Sequence, residues 1–490
     1  MDSFSLPTLP TPESGNQFTP KPGKRKLYLW LAVAIILGLA LGSGMGLLFA
    51  KNGANPTANG LQPQNAQALL ASANTPTKPG VTPTTPPKQP TGTNHFAFGL
   101  DNAPGNVQYM VNMRSQNGAA FDYRYQYLSA GVNTGHGWET WNSPAGQFAT
   151  YYIQESASNK YTPVFVYYEM LQSNGSCGNC AEPQKDLSNL DNASLMKAYY
   201  ANWALLMQKI GASHTTTMVI VEPDLWGFIE QSVAGGSNSA ASAPASVASS
   251  GYGAVAGLPN TAQGFAWALL HLRDLYAPNA VLAIHASDWG TKFDIGSNTD
   301  PNLNVTGLAQ SEAHFLLSAG VTGTPAGISH WNLISNDVAD HDSGQSGNWW
   351  DRTNKVFPNF ARYLQFIGAL TADSGRHVIM WQVPEGNQYF DTENNSDGHT
   401  QDNRPEYILG HISDFAHAGI IGVLFGPGNG GTEYDDAMHD GVTNPAPIST
   451  YECNQCNNHQ SQYADDDGGY LRIFVGQYYK NGAYPLPAGW

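Results

Sequence analysis

Short apolar runs rich in β-branched and aromatic residues recur along the chain, and they alternate with stretches whose apolar residues repeat at helical spacing. We predict strands at eight of these runs: Phe96–Leu100, Tyr123–Leu128, Val164–Tyr168, Met218–Val221, Val281–His285, Gly327–Leu333, Val378–Val383 and Ile420–Phe425. Helices are predicted near residues 190–209, 262–275, 307–319, 355–371 and 405–417. This alternation predicts an α/β fold, a (β/α)8 TIM-like barrel. An open doubly wound sheet is the alternative, but no glycine-rich phosphate motif follows the first strand.

A longer hydrophobic stretch lies near the N-terminus. Residues Leu27 to Ala50 carry no charge, and such a stretch can cross a bilayer core of about 30 Å as a helix. Basic residues cluster shortly before it, whereas only Lys51 follows it closely. The positive-inside rule therefore predicts a transmembrane signal anchor at 27–50, with residues 1–26 in the cytoplasm. A cleaved signal peptide is the alternative, which the length of the stretch disfavours.

Residues 51–94 differ from the rest in being rich in Pro, Thr, Asn and Gln. Such a composition cannot bury an apolar core, so we predict a disordered linker that holds a folded domain, residues 95–490, away from the membrane. The sequence thus predicts a single-pass protein of the cell membrane with its folded domain outside the cytoplasm. The chain carries 38 acidic and 22 basic residues, and this balance disfavours nucleic acid and anionic membrane surfaces as partners of the domain.

Two of the predicted strands end in carboxylates. The fourth leads into Glu222 and Asp224, which flank a proline, and the seventh leads into Glu385, which follows a proline. Catalytic residues of (β/α)8 barrels lie at the carboxyl ends of the strands, and paired carboxyl groups there perform glycoside hydrolysis. We therefore predict that Glu222, Asp224 and Glu385 are catalytic. Either Glu222 or Asp224 would protonate the leaving oxygen, and Glu385 would act as nucleophile or base.

Polar and aromatic residues near the other predicted strand ends suit sugar binding. Tryptophan rings there can stack on sugar rings, and amide, imidazole and carboxyl groups can bind hydroxyls. The predicted substrate-binding residues are Glu169, His285, Asp288, Trp289, Trp331, Asn332, Trp381 and Asn387. Carboxyl groups crowded on one rim raise the pKa values of one another, which supplies an acid at neutral pH.

The fourth strand and its neighbours resemble the family 6 cellulases. Val219–Asp224 is similar to the Ile-Glu-Pro-Asp strand of that family, Val164–Glu169 to the preceding strand ending in Tyr-Asp, and His285–Gly290 to the following His-Ala-Gly-Trp segment. This resemblance implies a glycoside hydrolase in which Asp224 is the general acid. The chain departs from the family after the earlier strand, where it reads Met170–Asn174 instead of the Asp-Arg-Asp-Cys run.

A second comparison is with retaining barrels that carry glutamates on strands four and seven. It implies Glu222 as acid/base and Glu385 as nucleophile. The two resemblances differ in geometry, because retaining enzymes hold their carboxyl groups about 5–5.5 Å apart and inverting enzymes about 6.5–9.5 Å apart.

The four cysteines form two Cys-x-x-Cys pairs, Cys177 with Cys180 and Cys453 with Cys456. Two such pairs are a strong pattern for a structural zinc site with four thiolate ligands. The predicted extracytoplasmic location instead favours disulfides, which could also join one pair to the other. Both alternatives stay open, and no cofactor is expected for catalysis itself.

These patterns together predict a membrane-anchored extracytoplasmic glycoside hydrolase that binds and cleaves a polysaccharide. The alternative is a non-catalytic carbohydrate-binding barrel of the cell envelope, which would keep the tryptophans but tolerate loss of the carboxylates. The Ser- and Ala-rich segment at 232–258 is predicted to be a flexible surface insertion or, alternatively, a mobile lid over the site.

Overall fold

Eight parallel strands close into a barrel in the computed structural model, which describes residues 93–175, 177–338, 349–385, 402–426 and 470–487. The strands are β1 (Ala97–Asp101), β2 (Tyr123–Leu128), β3 (Thr162–Tyr167), β4 (Thr217–Val221), β5 (Ala280–Ala286), β6 (Leu333–Asn336), β7 (Val378–Pro384) and β8 (Ile420–Gly426). Each strand pairs with the next one in the chain, and β8 pairs with β1. The predicted (β/α)8 barrel is thereby confirmed.

Helices follow the strands along the chain. They are α1 (Val107–Asn117), α2 (Gln147–Ser158), α3 (Glu182–Leu190), α4 (Ala193–Ser213), α5 (Pro223–Val233), α6 (Ala262–Tyr276), α7 (Val305–Leu316), α8 (Phe360–Ser374), α9 (Arg404–Gly410), α10 (Ile412–His417) and α11 (Tyr470–Lys480). Side chains cap several of their N-termini: Asn192 accepts from the Leu195 N–H at α4, and Thr261 accepts from the Gly264 N–H at α6. The predicted helices correspond to α4, α6, α7 and α8, and to α9 and α10 together.

The core has two layers because side chains alternate between the two faces of a strand. Tyr125, Ile220 and Trp381 belong to the cluster inside the barrel. Phe165 and Val219 belong to the layer between the strands and the helices. Side chains fill the interior of the barrel, so its chemistry is confined to the strand ends.

The sixth strand lies further along the chain than predicted. We predicted Gly327–Leu333, whereas β6 covers Leu333–Asn336, so Trp331 and Asn332 precede the strand. Trp331 is 1% exposed and donates its Nε1–H to the Ala319 carbonyl. The strand prediction was wrong here because the bulky aromatic packs outside the barrel instead of joining the strand.

The Ser- and Ala-rich segment at 232–258 is packed against the helices. Ala240 and Val247 are fully buried. The Val247 N–H donates to Asn260 Oδ1 over 3.0 Å, and the Ala240 N–H donates to Ser318 Oγ over 2.8 Å. The predictions of a flexible insertion and of a mobile lid were wrong, because the small side chains of this segment allow close packing.

The segment after α11 joins the N-terminal end of the barrel. The Phe96 N–H donates to the Tyr484 carbonyl, the Leu486 N–H donates to the Asn94 carbonyl, and the Tyr478 hydroxyl donates to the Phe96 carbonyl over 2.7 Å. The C-terminus therefore secures the start of β1, at the end of the barrel opposite to the carboxyl ends of the strands.

The predicted signal anchor at 27–50, the cytoplasmic tail before it and nearly all of the linker lie outside the described residues. Among the residues that the structure does describe, no helix is both long and apolar enough to cross a membrane. The anchor, the tail and the linker stay predictions.

Two buried glutamates meet behind the loop that follows β5. Glu230 on α5 and Glu312 on α7 are each at most 1% exposed, and a side chain at Gly290 would collide with the carboxyl oxygens of both. Burial raises the pKa of both carboxyl groups, and the charge of Glu230 raises that of Glu312 further. Two buried carboxyl groups this close together oppose each other's ionisation.

This pair should make the protein less stable as the pH rises. A carboxyl group whose folded pKa is raised contributes stability below its unfolded pKa of about 4.5 and loses it as the pH rises through the folded value. We expect the free energy of unfolding to fall as the pH rises above about 4.5, and to fall less in Glu312→Gln. Urea unfolding at several pH values measures this, with Asp373→Asn, an exposed carboxyl on α8, as control. Equal pH slopes in the parent and Glu312→Gln would contradict the assignment.

Candidate active site

The candidate site is built around a sharp turn between β4 and α5. Glu222 links the two elements in the left-handed backbone region, with φ 45°, and Pro223 begins the helix. The Glu222 N–H still donates to the Tyr167 carbonyl, as in a strand. A left-handed conformation at a glutamate is strained and persists only where the surroundings hold it.

The carboxyl group of Glu222 points into the wall of the barrel rim. Its oxygens accept from the backbone N–H groups of Glu169 and Met170 at 3.1–3.3 Å and from the Tyr199 hydroxyl at 2.9 Å. The side chain is 1% exposed, and burial raises its pKa to about 7 against the opposing effect of these hydrogen bonds. Glu222 therefore fixes the turn after β3 to the end of β4.

Glu169 lies at this turn after β3 and is fully buried. Burial raises its pKa well above the usual range, and the charges of Glu222 and Glu139 raise it further. The predicted crowding of carboxyl groups is present here: two glutamates from neighbouring strand ends lie close enough to oppose each other's ionisation.

Asp224 is the second residue of α5 and is half-buried. Burial is the largest cause of the raised pKa of Tyr168, and the charge of Asp224 is the second. The Tyr168 hydroxyl donates to Glu182 over 3.0 Å. The pKa of Asp186 is raised most by burial, then by the charges of Glu222 and Glu182, and then by that of Asp224. Asp224 thus belongs to an acidic cluster formed by the end of β4, the end of β3 and α3, and it is more exposed than Glu222.

A bulge in β7 directs two neighbouring side chains toward the inside of the barrel. The pairing with β8 shifts register between Met380 and Val383, and Gln382 has φ 51°. Trp381 belongs to the inner cluster and lies edge-on to the rings of Tyr127 and His285, with centroids 5.9 Å and 5.8 Å away. The Tyr127 hydroxyl donates to Gln382 Oε1 over 2.8 Å. Bulges of this kind occur next to active sites, where they redirect side chains.

Glu385 follows this bulge and is fully buried. Burial raises the pKa of Tyr125, and the charges of Asp101 and Glu385 raise it further. Burial also raises the pKa of Asp101 to about 7, although the charge of Arg124 opposes this rise. The end of β7 is therefore in electrostatic contact with the ends of β1 and β2.

His285 and Asp288 form a third polar group at the ends of β5 and β6. The His285 ring contacts Ser335 Oγ through Nδ1 at 3.1 Å and Asp337 Oδ1 through Nε2 at 3.3 Å. Asp288 accepts a hydrogen bond from Asn336 Nδ2 at 2.8 Å. Burial raises the pKa of Asp288 well above its usual range, and the charge of Asp337 raises it further. Both ring nitrogens of the histidine contact protein groups, so the orientation of its ring is fixed.

The structure separates two predicted substrate-binding residues from this group and packs a third, Trp289, against a helix. Trp331 and Asn332 lie at the N-terminal end of β6, where the Asn332 side chain accepts from Arg273 and the Leu282 N–H. Trp289 is half-buried and packs on Phe228 of α5, with centroids 4.8 Å apart. Because β6 begins later than predicted, Trp331 and Asn332 lie at the end of the barrel opposite to the candidate site and cannot contact a sugar bound there.

The last predicted contact, Asn387, lies outside the described residues. The residues that the structure brings together at the carboxyl ends of the strands are Glu169, Glu222, Asp224, His285, Asp288, Trp381 and Glu385.

Sequence reasoning missed several residues at this rim. Asp101 ends β1, directly after an apolar run, and the rule that selected Glu222 and Glu385 would have selected it too. Tyr125 and Tyr127 occupy every second position of β2 and face inward. This period of two residues is visible in the sequence. Gln382 carried no signal, because a bulge depends on the pairing of β7 with β8.

The first cysteine pair forms a disulfide between Cys177 and Cys180, in the loop before α3. The alternative of bridges between the two pairs is therefore wrong for these two residues, which also do not act as thiolate ligands in this state. Their spacing of three residues allows local closure. Cys453 and Cys456 lie outside the described residues, and zinc at that pair stays a prediction. Among the described residues no group of three or more His, Cys, Asp or Glu side chains is arranged to hold a metal ion.

No family model matches the chain, and no curated protein matches its sequence. Among solved structures, the chain is similar to a GH5-4 broad specificity endoglucanase from Bacteroides salanitronis, with 10% identity, a TM-score of 0.39, and coverage of 73% of this chain and 91% of the other.

Two further similar structures are also glycoside hydrolases. An endo-β-1,4-mannanase from Cellulomonas fimi has 10% identity, a TM-score of 0.38, and coverage of 68% of this chain and 64% of the other. The endoglucanase Cel6 from Mycobacterium tuberculosis has 12% identity, a TM-score of 0.29, and coverage of 63% and 77%. At such values the activity has to be inferred from the side chains of this protein.

The role of Glu222 as a support leads to a prediction about stability. Glu222→Ala would leave two buried backbone N–H groups and the Tyr199 hydroxyl without their acceptor, which costs about 3 kcal/mol. We expect a loss of that order in urea unfolding, and a smaller loss in Glu222→Gln, which keeps one acceptor oxygen. If Glu222→Ala were as stable as the parent, the carboxyl group would not hold the rim.

Proposed function

We propose that this protein is a glycoside hydrolase that cleaves a polysaccharide by carboxyl acid/base catalysis. The observation that supports the proposal is that Asp224 follows β4 and Glu385 follows β7, at the same rim of a closed parallel barrel whose interior carries aromatic side chains. Glycoside hydrolysis requires one carboxyl group to protonate the leaving oxygen and a second to attack or to activate water.

Asp224 is the acid in this proposal. It is half-buried at the rim, where a substrate can reach it, and it lies in an acidic cluster with Asp186 and Glu182. Glu222 acts as a positioning residue, because its oxygens are occupied by the turn after β3. Glu385 is the nucleophile or base. His285 contacts Ser335 and Asp337 through its two ring nitrogens, so it would act as a positioning residue and would not itself bind a sugar hydroxyl.

The location follows from the N-terminal sequence. An uncharged stretch at 27–50 preceded by basic residues supports a single-pass anchor with the barrel outside the cytoplasm. The disulfide Cys177–Cys180 supports the same location, since disulfides persist in oxidising compartments. The acidic charge of the chain supports a neutral polysaccharide partner and argues against nucleic acid.

Release of reducing ends tests this function. The purified full-length protein, in mild detergent, would be incubated with carboxymethylcellulose, glucomannan, xylan, β-1,3-glucan and polygalacturonate. We expect activity on at least one neutral polymer, and a loss of about 100- to 10,000-fold in Asp224→Asn and in Glu385→Gln, because each removes a proton-transferring or attacking group. Asp373→Asn, far from the rim, should retain full activity.

Two results would contradict the proposal. One is activity that survives both substitutions in correctly folded protein. The other is sugar binding without release of reducing ends from any polymer, which would support the alternative of a non-catalytic carbohydrate-binding barrel.

A further inference from the structure

We propose that Asp101, Tyr125, Tyr127, Trp381 and Gln382 form a binding subsite for one neutral pyranose unit of the substrate. We call this group the β1–β2–β7 subsite. The inference rests on the proposed function and deepens it, because it names residues that position the sugar beside Glu385 and the charge class that the site accepts.

The five side chains come from three strands that meet at one side of the rim. Asp101 and Tyr125 are register partners in the β1–β2 pairing. The ring of Tyr127 lies 6.5 Å from that of Tyr125 and 5.9 Å from that of Trp381, and its hydroxyl bonds Gln382. The bulge in β7 is what allows Trp381 and Gln382 to reach the same group.

Three polar atoms of this subsite have no hydrogen-bond partner among the described residues: Asp101 Oδ1, Tyr125 Oη and Trp381 Nε1. Tyr125 is fully buried and Trp381 is 4% exposed. A buried polar atom left without a partner costs about 1–3 kcal/mol, and native proteins satisfy nearly all such atoms. Three unsatisfied atoms in one small group therefore indicate a ligand that bonds them.

The chemistry of these atoms fits a sugar. A carboxylate oxygen accepts, an indole N–H donates, and a phenol hydroxyl does both. A pyranose presents neighbouring hydroxyl groups that also donate and accept, and its C–H face packs on aromatic rings. Asp101, Tyr127 and Gln382 are half-buried near the carboxyl ends of their strands, whereas Tyr125 and Trp381 are buried, so a sugar would reach this group from the mouth of the barrel.

The charge around the subsite selects neutral sugars. Asp101 and Glu385 both act electrostatically on Tyr125. The guanidinium of Arg124, which opposes the charge of Asp101, is itself paired with Glu155 at 2.8 Å. A uronate would bring a like charge into this group, and repulsion between like charges is strong where water is excluded.

Calorimetric titration tests the subsite with full-length Asp224→Asn protein, which does not cleave its ligand. The probes are cellohexaose, mannohexaose and a galacturonate hexamer. Tyr125→Phe removes one hydroxyl oxygen and keeps the ring, whereas Trp381→Phe removes the indole N–H together with part of the ring system and keeps an aromatic face. We expect each to weaken binding of the preferred neutral hexasaccharide about tenfold, or about 1.4 kcal/mol, and Asp101→Asn to weaken it at least as much.

Tyr123→Phe is the matched control, because Tyr123 faces inward on the same strand two residues nearer the N-terminal end of the barrel. It should bind as the parent does. The galacturonate hexamer should not bind. Thermal unfolding of each variant confirms that the fold is intact, and the two conservative phenylalanine variants decide the result if Asp101→Asn is unstable.

The outcomes separate this inference from the proposed function. Suppose that the parent enzyme releases reducing ends, but that adding Tyr125→Phe or Trp381→Phe to Asp224→Asn changes the affinity for the hexasaccharide less than twofold. The subsite is then refuted, and the proposed hydrolase function is not affected. Preferred binding of the galacturonate hexamer would refute the selection for neutral sugars. If the parent releases no reducing ends and no hexasaccharide binds, both proposals fail together.

Discussion

Closure of the parallel barrel is the constraint on which the rest of this structure depends. The pairing of β8 with β1 places Ala97 opposite Gly422 and Gly99 opposite Leu424. The backbone is crowded at this seam, since a side chain at Gly422 would collide with the Ala97 carbonyl and one at Gly99 with Tyr123. Once all strands run the same way around a closed ring, every strand ends on one rim. Carboxyl groups that are far apart in sequence then have to share that rim.

Crowding at the rim explains its electrostatics. Glu169, Glu222, Asp186 and Asp288 all have raised pKa values, and burial is the largest cause in each case. At Glu222, bonds from the backbone N–H groups of Glu169 and Met170 and from the Tyr199 hydroxyl offset this effect, and the pKa is held to about 7. The same rim thus contains a carboxyl group occupied by structural hydrogen bonds and others that are free to hold a proton. Glycosidases need such a difference between neighbouring carboxyl groups.

Two strained residues stand at the strand ends that carry the candidate catalytic groups. Glu222 and Gln382 both adopt positive φ, and each changes the direction of the side chains next to it. At β4 the turn sends Glu222 into the wall and leaves Asp224 half-buried at the rim. At β7 the bulge sends both Trp381 and Gln382 inward. Strain of this kind occurs at functional sites because the surrounding packing maintains it. The acidic cluster and the sugar subsite therefore depend on local backbone geometry as much as on residue type.

The sequence by itself determined the barrel, most helix positions and the main candidate carboxyl groups, because alternation of hydrophobic runs and a carboxylate at a strand end are local patterns. It could not place the sixth strand, since the burial of Trp331 against the outer layer is a tertiary contact. Nor could it show that Glu222 faces the wall, because that direction depends on N–H donors from the turn after β3. The bulge at Gln382 and the meeting of Asp101 with Tyr125 likewise required the pairing of strands distant in the chain. Local patterns predict which residues reach the rim, whereas side-chain direction there is decided by contacts between strands.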